Sequence, residues 1–226
     1  MGAKTETPRE RYRVQVRAEI KKHAWQQIAT AGASALSVNA IAKRMGVSGP
    51  ALYRYYASRD ELITELIKDA YRSLADTLRA TAASGGDVSA LAHAIRRWAL
   101  ADRHRYFLIY GTPVPGYEAP DDTTVISAEA MSVLLDAFQK APLSPPSGTA
   151  GIRFAAHLQN HRDWARGHPA PPAVLHRGLS FWTRVHGILS LELAGHFTGM
   201  GFDPDQYFEA EVAALAGTDG TNTPSV

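Results

Sequence analysis

Cysteine is absent from all 226 residues. That excludes a disulfide framework, a thiolate metal site and a cysteine nucleophile. No apolar run approaches the roughly 18 residues that a bilayer-spanning helix needs. The N-terminal MGAKTETPRERYR has charges but no apolar segment behind them, so a secretory signal is not expected. Strand-type alternation is nearly missing. With it goes any sheet that could carry a nucleophile elbow or a dinucleotide loop, and neither GxSxG, GxxxxGK[ST] nor a GxGxxG following a strand occurs. The expectation is a cytoplasmic, all-α protein without a cofactor, and not an enzyme.

Charge is nearly balanced overall, at +2, but not along the chain. Residues 1–60 hold 11 Lys/Arg against 4 Asp/Glu, a net +7, and residues 61–226 hold 13 against 18, a net −5. Such a split is the footprint of a small basic module joined to a neutral or acidic partner. Lysine and arginine displace the counterions condensed on phosphates, so a basic module suits a polyanion. A merely solvated basic surface would look the same by charge alone.

Apolar spacing predicts about nine helices. Val16, Ile20, Ala24 and Ile28 recur every four residues on a first helix ending near Gly32. Ser37 is a candidate N-cap for a short second helix with Val38, Ile41, Ala42 and Met45 on one face, stopped by Gly46. Ser48 caps a third helix, in which Pro50 is tolerated in the first turn, and which ends by Ala57. A fourth, over 59–83, carries Leu62, Leu66, Ala70, Leu74 and Leu78. Beyond it, helices are predicted at 88–104, 106–110, 123–140, 149–166, 174–197 and 204–217, the last with Gln206 three residues after Asp203 in the manner of a capping box. The proline-rich stretch at 141–148 reads as a loop. The tail 218–226 has nothing to bury and reads as disordered. The domains expected are 1–60 and 61–217.

Two helices of about eight residues are too short to stand alone. Joined by GVSG, they make sense as a helix-turn-helix packed on the first and fourth helices. With Leu52 set inward, Tyr55 lies about 60° to one side and Tyr56 about 40° to the other, at roughly 100° per residue. Pro50, Tyr53 and Arg54 then face outward. An exposed Tyr-Arg pair contributes little to folding, but suits a helix lying in a DNA major groove, where Arg can bond guanine and apolar atoms can touch a thymine methyl.

The stretch LSVNAIAKRMGVSGPALYRYYASRDELI resembles the N-terminal DNA-binding domain of the TetR family of transcriptional regulators. The match runs over about residues 12–62. It implies that Ser37, Asn39 and Ser48 approach DNA, that Gly49, Pro50, Ala51, Tyr53 and Arg54 face bases, and that Tyr55 and Arg59 bind phosphate. Two positions depart from the family pattern, which has His at Tyr55 and Lys at Arg59. Gly49, Pro50 and Ala51 lack polar side chains, so direct readout rests on Arg54 and Tyr53.

The segment 174–197 is charged only at Arg177, Arg184 and Glu192, which share one narrow stripe. It reads either as a central core helix or as one facing its own core on one side and a partner subunit on the other. The resemblance implies the second, a two-fold homodimer whose two recognition helices meet a palindromic operator. The expected interface includes Leu179, Gly187, Leu191, Gly195, Phe208 and Val212. WTRVHG, with YGTPVPGY at 110–117, resembles a C-terminal domain type of that family named for its Trp, His and Gly. The resemblance implies a small-molecule effector, largely apolar or aromatic, lined by Trp98, Phe107, Tyr110, Phe138, His157, Trp182 and His186. An aromatic stripe read alone is just core. The family mechanism is repression relieved by the effector, with helix four as lever.

Alternatives stay open: an activator or effector-less regulator, or a metal sensor. His157 and His161 in HLQNH have the i, i+4 spacing of two ligands, but Leu158 stands where a zinc protease has Glu. A third ligand could come from His104, His168 or His176. An all-helical hydrolase or lyase would lose turnover on mutation of a His while still binding DNA.

Overall fold

The computed structural model describes residues 7–141 and 148–216. Residues 218–226 and most of the proline-rich stretch at 141–148 lie outside them. Among the described residues there are ten α-helices, two one-turn 3-10 helices and no strand. Contacts divide the chain into two compact units, Met1–Asp69 with Thr112–Pro120, and Ala70–Gly111 with Asp121–Val226. The division falls nine residues beyond the expected boundary at 60, within the fourth helix. The 112–120 segment belongs with the N-terminal unit.

In the first unit, α1 (Pro8–Ala31) starts on a capping box between Thr7 and Glu10 and buries Ile20, Ala24 and Ile28. α2 (Val38–Arg44) is capped by the Ser37 hydroxyl, which accepts from the Ala40 amide at 3.3 Å. It ends in a Schellman motif: Gly46 donates to Lys43 O, Val47 donates to Ala42 O, and Gly46 sits at φ 68°. α3 (Gly49–Tyr53) is capped by Ser48. α4 (Arg59–Ala83) starts on Ser58, whose hydroxyl accepts from the Glu61 amide at 3.0 Å. Ile41, Leu52, Tyr56, Leu62, Ile63 and Leu66 are all essentially inaccessible. Each such side chain contributes about 1.5–3 kcal/mol by burial, so packing holds α2 and α3 where propensity cannot.

The second unit takes α4 from Ala70 onward, α5 (Val88–Ala101), α6 (Arg103–Tyr110), α7 (Asp121–Lys140), α8 (Gly148–His157), α9 (Pro172–Leu193) and α10 (Pro204–Ala216). α9 packs on α5, α6, α7, α8 and α10, and is the central helix of this unit.

Several boundaries differ from expectation. α3 stops at Tyr53 because Tyr56 turns back into the core beneath Arg17, whose guanidinium lies 4.4 Å from its ring. The helix expected at 88–104 breaks at Asp102, whose carboxylate accepts from the His104 and Arg105 amides at 3.1 and 3.0 Å and so starts α6. α8 stops at His157, and between it and α9 there is only the 3-10 turn Asp163–Ala165. There, Arg162 donates to the carbonyls of His168 and Ala170. α9 ends at Leu193, four residues early, in a second Schellman motif: Gly195, at φ 82°, donates to Glu192 O, and His196 donates to Leu191 O. At the start of α10, Gln206 reaches the Asp203 carboxylate at 3.2 Å rather than a backbone amide.

Candidate nucleic-acid interface and buried aromatic site

The turn before α2 is clamped from two sides. Gln27 accepts from the Ser37 amide at 2.9 Å. Arg59 donates to Leu36 O at 3.1 Å, to Ala33 O at 3.1 Å and to Ser34 O at 3.2 Å. Arg59 was expected to meet a phosphate. Its guanidinium is engaged with the protein's own carbonyls at this turn, where Ala33 O also accepts from the Leu36 amide, and it meets the Asp60 carboxylate at 3.3 Å. Asn39 is exposed on α2, and its Oδ1 would lie 3.1 Å from a Cβ at Gly49. A side chain at 49 would therefore push Asn39 aside, so the first position of α3 serves the close approach of α2 and α3.

Pro50, Tyr53 and Arg54 are exposed, Tyr53 by 42%. Gly49, Ala51 and Tyr55 are half-buried, and Ser48 is exposed. Neither the Tyr53 nor the Arg54 side chain has a hydrogen-bond or ion-pair partner among the described residues. The helical wheel thus put the right side chains outward.

In the second unit, α6 and α9 bring together Tyr106, Tyr110, Trp182 and His186. The His186 ring centroid is 4.1 Å from those of both Tyr110 and Trp182, and 5.7 Å from that of Tyr106 at an interplanar angle of 23°. Tyr110 and Trp182 are 5.5 Å apart, and Tyr71 meets Tyr110 edge-on at 6.0 Å. The Tyr106 hydroxyl lies 3.0 Å from His186 O, 3.2 Å from His186 Nδ1 and 2.9 Å from Ser190 Oγ. Burial pushes His186 down to about 3, so the imidazole is neutral. Burial likewise raises Tyr106 and Tyr110 above the usual phenol range. Tyr110 is half-buried as a residue, and its hydroxyl is fully buried.

Of the residues expected to line an effector site, Tyr110, Trp182 and His186 converge, and Phe107 lies alongside through Tyr106 at 5.6 Å. Trp98 is buried, with its indole N–H on Ser73 Oγ at 3.1 Å. Phe138 packs elsewhere, against Phe181 at 5.5 Å and under Arg177 at 5.0 Å. His157 stands on the surface, its ring parallel to that of His161 at 3.8 Å. Tyr106 and Ser190 join the same cluster, outside the expected lining. The i, i+4 spacing of Tyr106 to Tyr110, and of Trp182, His186 and Ser190, was the available signal.

The histidines do not converge as metal ligands. His161 Nδ1 contacts His157 O at 3.0 Å. His168 accepts from the Ala170 amide at Nδ1 and meets Asp136 through Nε2, both at 3.2 Å. Among the described residues no group of three or more His, Asp or Glu could hold an ion.

Phe208 and Val212, expected at a subunit interface, are in the protomer's own core, and Arg96 lies 5.2 Å over the Phe208 ring. Gly195 terminates α9. Gly187 and Leu191 (47% exposed) face outward, and Leu179 is half-buried. Glu192 on the charged stripe holds Arg96 through two hydrogen bonds of 2.6 and 3.1 Å, and Asp205 joins the same guanidinium.

Two short capped helices joined through a glycine turn, the second showing a free Tyr-Arg pair, define a helix-turn-helix DNA-binding regulator. Residues 20–66 match the model for bacterial regulatory proteins of the tetR family, and residues 88–215 match the tetracyclin repressor-like C-terminal domain. HTH-type transcriptional regulators of Mycobacterium tuberculosis and Mycobacterium bovis are 36% identical over 219 residues, covering 90% of this chain and 92% of theirs. A protein described as regulatory, SCO4313, is 68% identical with a TM-score of 0.86, covering 93% of this chain and all of that one. A Rhodococcus sp. RHA1 protein shares the fold at 19% identity and a TM-score of 0.65, over 90% of this chain and 94% of its own. The chain belongs to the TetR family of transcriptional regulators and is not an enzyme. No helix among the described residues is long and apolar enough to cross a membrane.

Proposed function

We propose that this regulator is a cytoplasmic homodimeric repressor that holds a palindromic operator and is released by a small, largely apolar or aromatic effector. The observation that carries it is the exposed Tyr53–Arg54 pair, whose side chains have no hydrogen-bond or ion-pair partner among the described residues and the right chemistry for base edges. Pro50 and Ala51 offer only apolar contact, so Arg54 supplies most of the base discrimination. Two such helices on a two-fold axis meet half-sites about one DNA turn apart. The exposed Gly187 and Leu191 on α9, with Tyr207 on α10 (40% exposed), support pairing of these helices between copies.

The aromatic site on α6 and α9 supports the effector. Release is a population shift in which the effector favours a conformation whose recognition helices are wrongly spaced. An effector that weakens operator binding must bind the operator complex more weakly by the same factor. Titrating effector against free and operator-bound dimer tests this. Equal affinities for the two forms contradict release by the effector.

A further inference from the structure

Two buried polar atoms in the aromatic site have no partner among the described residues: His186 Nε2 and the Tyr110 hydroxyl. Buried polar atoms are nearly always satisfied, so a pair left open on neighbouring rings 4.1 Å apart calls for an explanation.

The surrounding hydrogen bonds determine what each atom can do. The Tyr106 hydroxyl has one proton and two lone pairs. His186 O can only accept, so the phenol proton goes there. The lone pairs of Tyr106 are then left for His186 Nδ1–H and Ser190 Oγ–H, at 3.2 and 2.9 Å. A neutral imidazole carries one ring proton, and it is on Nδ1. Nε2 is therefore a bare acceptor. The Tyr110 hydroxyl, carried on the neighbouring ring, can donate. A partner for both must give a proton to one and accept a proton from the other.

We propose that His186 and Tyr110 form a receptor for a neutral hydroxyl, an alcohol or phenol, on an otherwise apolar small molecule. The ligand's O–H donates to His186 Nε2 while its oxygen accepts from Tyr110. The rings of Trp182 and Tyr106 beside them take its apolar body. A carboxylate has no proton for Nε2, and an ether satisfies only Tyr110. Tyr106 and Ser190 act as positioning residues that hold the imidazole in the accepting tautomer. This rests on reading the α6–α9 site as the effector site.

The full-length protein is titrated with matched probes on several carbon skeletons: 4-alkylphenols, their methyl ethers and the corresponding 4-alkylbenzoates. Binding is followed through the 15N resonances of His186, and operator affinity is measured in the same samples. The phenols are expected to bind about 10- to 100-fold more tightly than the ethers and to shift Nε2, which starts unprotonated. Tyr110→Phe removes only the unpaired hydroxyl. Without probe it is expected to melt at the same temperature as the parent or higher, while losing the preference for phenols. Indifference between the probes, no binding by any of them, an Nε2–H tautomer, or a Tyr110→Phe variant that melts lower all overturn the proposal, the last because one bound water would then satisfy the pair. Loss of the proposal with operator binding intact leaves the DNA-binding reading standing. Phenol binding that leaves operator affinity unchanged keeps the receptor and removes its role as effector site.

Discussion

Three backbone carbonyls converge on the guanidinium of Arg59, at 3.1 to 3.2 Å. Arg59→Ala is expected to cost about 2 kcal/mol in chemical denaturation, since it leaves those acceptors short of a charged donor. Arg54→Ala should stay within about 0.5 kcal/mol of the parent in stability, yet lose about 1–3 kcal/mol of discrimination at one base position. Uniform weakening on all sequences would show Arg54 to be a phosphate contact. The outward direction of Arg54 could be read from a helical wheel, because one local period determines it. Arg59 could not be read so, since its acceptors lie 23 to 26 residues away.

His186 makes a separate residue-scale prediction. Burial holds its folded value at about 3, below the ordinary imidazole value of about 6.5, so below pH 6.5 the unfolded chain takes up a proton that the native protein does not. Stability is fully present above that range and is lost as the pH falls towards 3. Relative to His186→Gln, the parent should lose about 1 kcal/mol of unfolding free energy between about pH 6.5 and 5.5. Parallel pH profiles for the two proteins would show that the imidazole is not held neutral.

At the scale of elements, α9 and α10 separate core from surface. Phe208 is inaccessible, so Phe208→Ala should cost about 3–5 kcal/mol in the protomer. Leu191→Glu, at a site 47% exposed, should leave the protomer's secondary structure intact and lower the mass seen by sedimentation from that of the proposed dimer to that of a monomer. Dimer retained in Leu191→Glu would place the interface elsewhere. Caps carried the legible part of the architecture: Ser37, Ser48 and Gly46 stand where their side chains or backbone angles dictate. A break between helices at 88–104 and 106–110 could be read, but the Asp102 cap sets it three residues earlier than the sequence suggested. Phe208 and Val212 carried no sequence signal separating a protomer's core from a partner's. Either burial selects the same side chains.

For the whole molecule, the segment 112–120 shows what a linear reading misses. It follows α6 directly in the chain, yet it packs with the N-terminal unit, where the Tyr117 hydroxyl meets Thr64 Oγ1 at 3.0 Å. Tyr110, in the aromatic site, is therefore only two residues from a segment anchored in the DNA-binding unit. Charge did announce the two-part character, since +7 over residues 1–60 against −5 beyond is visible in the sequence. The central claim is that the dimer reads a palindrome through Tyr53 and Arg54. Selection of bound duplexes from a random pool at about 150 mM salt, beside a Tyr53→Ala/Arg54→Ala double variant, tests it most directly. An enriched inverted repeat that the variant fails to select is the expected result. Weak, salt-sensitive binding of the same strength in both proteins would contradict it.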